Sequence, residues 1–183
     1  MKGDHLRKMI FWALCCGLGL FCKRLVAPIA NVITGWLHIP GGIGTSFSLM
    51  FLALAGSLAP STFCCTKMSF VQSMLALALG MVGNMGILSP LGYVMPGLVM
   101  DGIFMLGHRF NLRAADTFIL ANSLGAIAAA LTANLIVFHL RGMILLVYVC
   151  VAALSGALFG LLGSILARKL RPAITSHPAN KEN

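Results

Sequence analysis

The chain has four acidic residues, Asp4, Asp101, Asp116 and Glu182, and only Asp101 lies well inside an apolar stretch, residues 88–106. A carboxylate in hydrocarbon costs about 2.5–3.5 kcal/mol on insertion scales, so such a group faces protein or a water-filled cavity. One reading makes Asp101 the contact for a polar or cationic ligand. The other makes it a hydrogen-bonded acid that locks two helices together. Tyr93, Gly97 and Asp101 recur at a spacing of four and share one helical face. Gly97 leaves room on that face. The predicted result is a cavity with an aromatic wall and an anionic floor, suited to a small, flat, polar or cationic molecule.

Further polar residues fall toward the same predicted membrane side. They are Thr45, Ser46 and Ser48 at the start of the second helix, Ser89 at the start of the fourth, Asn134 at the end of the fifth, and Tyr148 early in the sixth. Two breaker-rich connections add Trp36, His38 and Asn84. The candidate substrate-binding set is therefore Asp101, Tyr93, Gly97, Trp36, His38, Ser48, Asn84, Asn134 and Tyr148. Taken singly, Ser and Thr bond their own backbone and Tyr sits in an interfacial belt.

Other chemistry finds little support. No G-x-x-x-x-G-K-[ST], G-x-S-x-G or H-E-x-x-H occurs. The six cysteines (Cys15, Cys16, Cys22, Cys64, Cys65, Cys150) form no C-x-x-C and read as small hydrophobes. No catalytic residue, metal ligand or cofactor is expected. A membrane enzyme would need a nucleophile–base pair or clustered acids. A channel or solitary secondary carrier would need a polar path through both leaflets. Below Asp101 that path would rest mainly on Gln72, Asn122, Ser123 and Ser155.

The elements that position these residues are helices in a membrane. The chain has 183 residues, 59% hydrophobic and 9% charged, against about 25% charged in soluble domains; its mean hydropathy is +0.95. The predicted fold is an all-α integral membrane protein, one domain over 1–183. Six transmembrane helices are predicted at about 9–28, 45–59, 68–82, 91–107, 114–138 and 143–167, with a polar tail at 168–183. The first apolar run reads as a retained helix, not a cleaved signal. Pro40, Gly41 and Gly42 mark a structured outer loop between helices 1 and 2.

With the N-terminus cytoplasmic, ten basic residues fall inside (Lys2, Arg7, Lys8, Lys67, Arg109, Arg113, Arg168, Lys169, Arg171, Lys181). Three fall outside (Lys23, Arg24, Arg141). This bias puts both termini inside and explains the net charge of +9 by anionic lipid, with no nucleic-acid partner. Small residues recur every fourth position at Ala13 and Gly17, at Gly125, Ala129 and Ala133, and at Ala152, Gly156, Gly160 and Ser164. Such stripes let helix backbones approach. The later two read as internal packing; the first fits either internal packing or a partner surface, and spacing alone does not choose between them.

Over about residues 6–170 the chain resembles the substrate-binding S component of an energy-coupling factor (ECF) vitamin transporter. The resemblance rests on six spans in about 180 residues, both termini inside, the missing ATPase motif, the breaker-rich first outer loop and Ala13-x-x-x-Gly17. Family members carry an Ala-x-x-x-Ala-like motif there. The resemblance implies uptake of a small water-soluble micronutrient and docking through Ala13 and Gly17 to a transmembrane T component, with two ATPase subunits. It implies a multi-pass protein of a prokaryotic cytoplasmic membrane. The segment 90–104 looks most like the branch for thiamine or its hydroxymethylpyrimidine precursor, which tends to carry Glu where this chain has Asp101.

Overall fold

A helix that is apolar on every side has no face to give to water and belongs in a core. The computed structural model puts such a helix, α2 (Gly42–Leu58), at the centre. Its residues Leu49 to Ala55 are all buried. Around it stand α1 (Lys2–Gly35), α3 (Cys64–Ala78), α4 (Ser89–Arg109), α5 (Ala114–Ala133) and α6 (Met143–Thr175), and α2 packs against each of them. The structure describes residues 2–35, 42–80, 86 and 88–175; side-chain surroundings are described over 6–26, 28, 44–80, 86 and 88–172. Trp36, His38, most of the first interhelical loop and Asn84 lie outside the described residues.

Four helical stretches are long and apolar enough to cross a membrane: Leu6–Val26, Ser89–Arg109, Ala114–Phe138 and Met143–Pro172. This is consistent with a multi-pass membrane protein. The outward faces agree: Leu14, Leu18, Phe21 and Leu25 on α1 and Leu154, Leu158 and Leu161 on α6 are exposed. α2 and α3 have 17 and 15 residues. At 1.5 Å per residue they reach roughly 22–25 Å, short of a ~30 Å hydrocarbon core.

Several boundaries differ from the sequence reading. α1 does not stop at Pro28 but runs through it to Gly35. A proline there removes one backbone bond, which membrane helices tolerate when neighbours re-satisfy the freed group. α3 opens at Cys64 and closes at Ala78, four residues before the expected end. The fifth helix changes character at its end: Asn134–Phe138 is one π-helical turn. α6 continues through Arg168, Lys169 and Arg171, good helix formers in a segment expected to be frayed.

The interior is apolar with polar ties. Gln72 Nε2 donates to the Cys16 carbonyl at 3.2 Å, joining α3 to α1. Asn122 Nδ2 donates to the Gly156 carbonyl at 2.8 Å, and Ser123 Oγ to Ala153 at 3.1 Å, joining α5 to α6. Ser46 and Ser155 hydroxyls pair at 2.8 Å across α2 and α6. Residues that a polar path would need are thus used as interhelical bonds.

The small-residue stripes separate by environment. A Cβ on Gly156 would lie 2.8 Å from Ser123 Cα, and one on Gly160 2.9 Å from Ile119 Cα, so α6 presses on the α5 backbone there. Gly17 has nothing within 4 Å, and Ala13 is exposed. The α6 stripe is consumed by packing within the chain; the α1 stripe is open.

Candidate functional site

The two ends of the bundle differ. At one end α2 hands over to α3, α4 to α5, and α6 finishes. Trp12 Nε1 donates to the Ala59 carbonyl at 3.2 Å, placing the first half of α1 at this end too. At the other end the C-terminal half of α1 meets the starts of α2, α4 and α6 and the end of α5.

Asp101 belongs to the first end. Its Oδ1 accepts from the Cys65 amide at 3.0 Å. Its Oδ2 accepts from the Thr66 amide at 2.7 Å and the Thr66 hydroxyl at 2.6 Å. The cause lies in the turn before α3. Phe63 enters the left-handed region at φ 54° and provides no side-chain cap, so the opening amides of α3 need an acceptor. Asp101 supplies it from α4, with its negative charge at the positive end of the helix dipole. Its carboxylate also borders an open depression of about 580 Å³ lined by Gly56, Phe63, Cys64, Phe104 and His108.

Gly97 sits one turn away on the same contact. A Cβ there would meet Ser69 Oγ and lie 2.9 Å from the Cys65 carbonyl. The absent side chain makes room for the α3 backbone, not for a cavity. Gly97 and Asp101 together form the α3–α4 seam.

Tyr93 parts company with them. It lines a cavity of about 70 Å³ at the opposite end, with Lys23, Thr45, Gly92, Tyr148 and a wall of Ala126, Ala129, Ala130 and Ala133 from α5. Lys23 Nζ donates to the Tyr93 hydroxyl at 3.0 Å and stands 4.1 Å from its ring centroid. Tyr148 is almost fully buried. Its ring meets Phe138 edge-on at 6.2 Å, and Phe138 is presented by the π turn. The alanines are small enough to leave the space open, so the former stripe positions Ala129 and Ala133 serve here as cavity wall. Among the described residues no acid lines this cavity, and the charged side chain on it is Lys23.

Two other sequence candidates face elsewhere. Ser48 is buried beside Gly19 of α1. Asn134 closes the α5–α6 connection: its Oδ1 accepts from the Leu140 amide at 2.7 Å and its Nδ2 donates to the Leu140 carbonyl at 3.4 Å. Tyr93 and Tyr148 are therefore brought together, while Asp101, Gly97, Ser48 and Asn134 do not join them.

Lys23 and the alanine wall were not among the sequence candidates. Lys23 stood inside the long apolar run of α1, and an ionisable residue in such a run is itself a signal of function. In the sequence it counts, with its neighbour Arg24, among the outer basic residues near the expected helix end at Pro28, where a long side chain can snorkel to the interface.

Chemically, the cavity offers an ammonium, two phenols and one hydroxyl over an apolar wall. That set binds acceptor-rich or anionic groups and stacks flat rings. Among the described residues no three His, Cys, Asp or Glu side chains gather to hold a metal. Fold and site define a helical bundle with membrane-spanning character and a small polar cavity near one end. No family model, curated protein or solved structure matches the chain.

Proposed function

We propose that this chain is a substrate-binding membrane subunit whose ligand enters the cavity beside Lys23, Tyr93 and Tyr148. In this reading six helices cross the membrane, both termini are cytoplasmic and the cavity faces outward. The observation that carries it is the cavity itself: a lysine, two tyrosines and a threonine converge from α1, α2, α4 and α6 over an alanine wall on α5. The open Ala13–Gly17 stripe supports docking to a membrane partner, as in the S components of ECF importers, with ATPase subunits completing the transporter.

The cavity chemistry narrows the ligand. Lys23 already occupies the Tyr93 ring face, and a second cation beside it is repelled. A neutral, acceptor-rich ring such as hydroxymethylpyrimidine fits this environment better than the thiamine cation. Ligand pockets usually hold about 300–1,000 Å³, and this cavity holds about 70 Å³. A ligand therefore needs the cavity to widen, and in this proposal the Lys23 side chain leaves Tyr93 and turns to the ligand.

Native mass spectrometry of protein extracted in mild detergent tests the proposal. The expected spectrum shows a small neutral or anionic heterocycle on the wild type and on Asp101→Asn, and none on Lys23→Gln. A ligand retained equally by all three proteins would place binding elsewhere.

A further inference from the structure

The end of the bundle opposite the tyrosine cavity holds a further, arginine-lined cavity of about 320 Å³. Arg113, Arg168 and Arg171 line it, and among the described residues no acid does. Arg113 comes from the turn before α5 and the other two from the last turns of α6. Arg171 also has an interaction of its own, so the argument rests on Arg113 and Arg168.

Three features coincide here. First, arginine forks suit phosphate oxygens bidentately. Second, Ala114 and Ala115 line the cavity and open α5, whose N-cap residue Arg113 makes no side-chain capping bond; Asp116 in the same turn is exposed and is not among the lining residues described. The first amides of a helix have no intrahelical acceptor, and the dipole there favours an anion. Third, the base is apolar: Phe118 and Ala167 are buried within it. On the flank of α6 next to Ser164 and Arg168, Leu161 and Ile165 are exposed and apolar. Free phosphate uses the first two features only; a phospholipid uses all three.

We propose that this cavity binds a phosphate group, presented by the headgroup of an anionic phospholipid whose acyl chains lie along α6. Arg113, Arg168 and the α5 amides hold the phosphate, and the site pins the α4–α5 turn to the end of α6. The proposal is independent of what occupies the tyrosine cavity.

Thermal unfolding of the full chain in neutral detergent tests it, with dioctanoyl-phosphatidylglycerol, dioctanoyl-phosphatidylcholine and inorganic phosphate as separate additives. Phosphatidylglycerol should raise Tm in a saturable way and phosphatidylcholine much less. Arg113→Gln/Arg168→Gln should weaken the phosphatidylglycerol effect by at least about tenfold in midpoint concentration, as loss of charge-assisted bonds requires. Arg109→Gln, which lies outside the cavity, removes one charge nearby and should leave the effect intact. A shift by inorganic phosphate that equals the lipid's and vanishes in the double variant would keep the phosphate site and assign it to free phosphate. Equal shifts in wild type and double variant, or no shift with any additive, would overturn the proposal.

Discussion

Lys23 and Tyr93 are joined twice, by a 3.0 Å hydrogen bond between ammonium and phenol and by the ammonium standing 4.1 Å from the ring centroid. They lie 70 residues apart and connect α1 to α4 on the lining of the small cavity. This pair sets the sign of charge there. A ligand that enters meets a donor-rich, positive site.

Tyr93→Phe removes the phenol and keeps the ring, so it separates the two contacts. The protein should lose no more than about 1 kcal/mol of stability, the net worth of one partly exposed hydrogen bond. Lys23→Ala should cost a similar amount, because lysine leaves no buried partner unpaired. Chemical denaturation in detergent micelles measures both. A loss above about 3 kcal/mol in either variant would mark the pair as structural.

Asp101 gives the opposite pattern. Asp101→Ala leaves the Cys65 and Thr66 amides without their acceptor, and unsatisfied buried groups cost about 1–3 kcal/mol each. The expected loss is about 3 kcal/mol. Asp101→Asn keeps one acceptor and should cost about 1–2 kcal/mol, the range of a lost helix cap. Hydrogen exchange should quicken first in the opening turn of α3. Unchanged stability and exchange in Asp101→Ala would remove the capping role.

The sequence has Asp101 facing protein or a water-filled cavity, with a lock between two helices as one of its two readings. What it did not reveal was the partner. The left-handed Phe63 that starves the α3 amides of a cap is a backbone feature, and Phe is an unusual residue for that region. The i, i+4 spacing put Tyr93, Gly97 and Asp101 on one face, but that face is shared between two neighbours. α3 takes the lower two positions and the cavity takes Tyr93. Helices were legible from apolar runs, while their ends were not. Pro28 and the basic residues after 167 suggested stops, and the helices continue through both.

Glycine substitutions test the packing of the stripes. Gly97→Ala places a methyl 2.9 Å from a backbone carbonyl that cannot yield easily. Overpacking of this kind costs typically about 1–3 kcal/mol. Gly17→Ala meets open space and should stay within about 0.5 kcal/mol of wild type, as exposed substitutions do. In the docking reading, Ala13→Trp or Gly17→Trp blocks transport while the isolated subunit still binds ligand. Loss of ligand binding in both tryptophan variants would make the stripe a packing surface after all.

Ser46 and Ser155 pair at 2.8 Å between buried hydroxyls. A double-mutant cycle with Ser46→Ala and Ser155→Ala should give a coupling of about 0.6 kcal/mol and no more than about 1.7, the range of polar side-chain bonds between helices in membrane proteins. A coupling of zero would mean that each hydroxyl is satisfied by its own backbone.

The most direct measurement is a calorimetric titration of hydroxymethylpyrimidine, with thiamine as the cationic comparison, into wild type, Lys23→Gln and Asp101→Asn. Binding beside Lys23 predicts that wild type and Asp101→Asn bind the neutral ring within about twofold of each other, and that Lys23→Gln weakens it about tenfold or more, the worth of a charge-assisted bond. Thiamine should bind more weakly than the neutral ring to wild type and regain ground in Lys23→Gln. A folded Asp101→Asn that loses binding while Lys23→Gln binds like wild type would contradict this assignment and return the ligand to the acid.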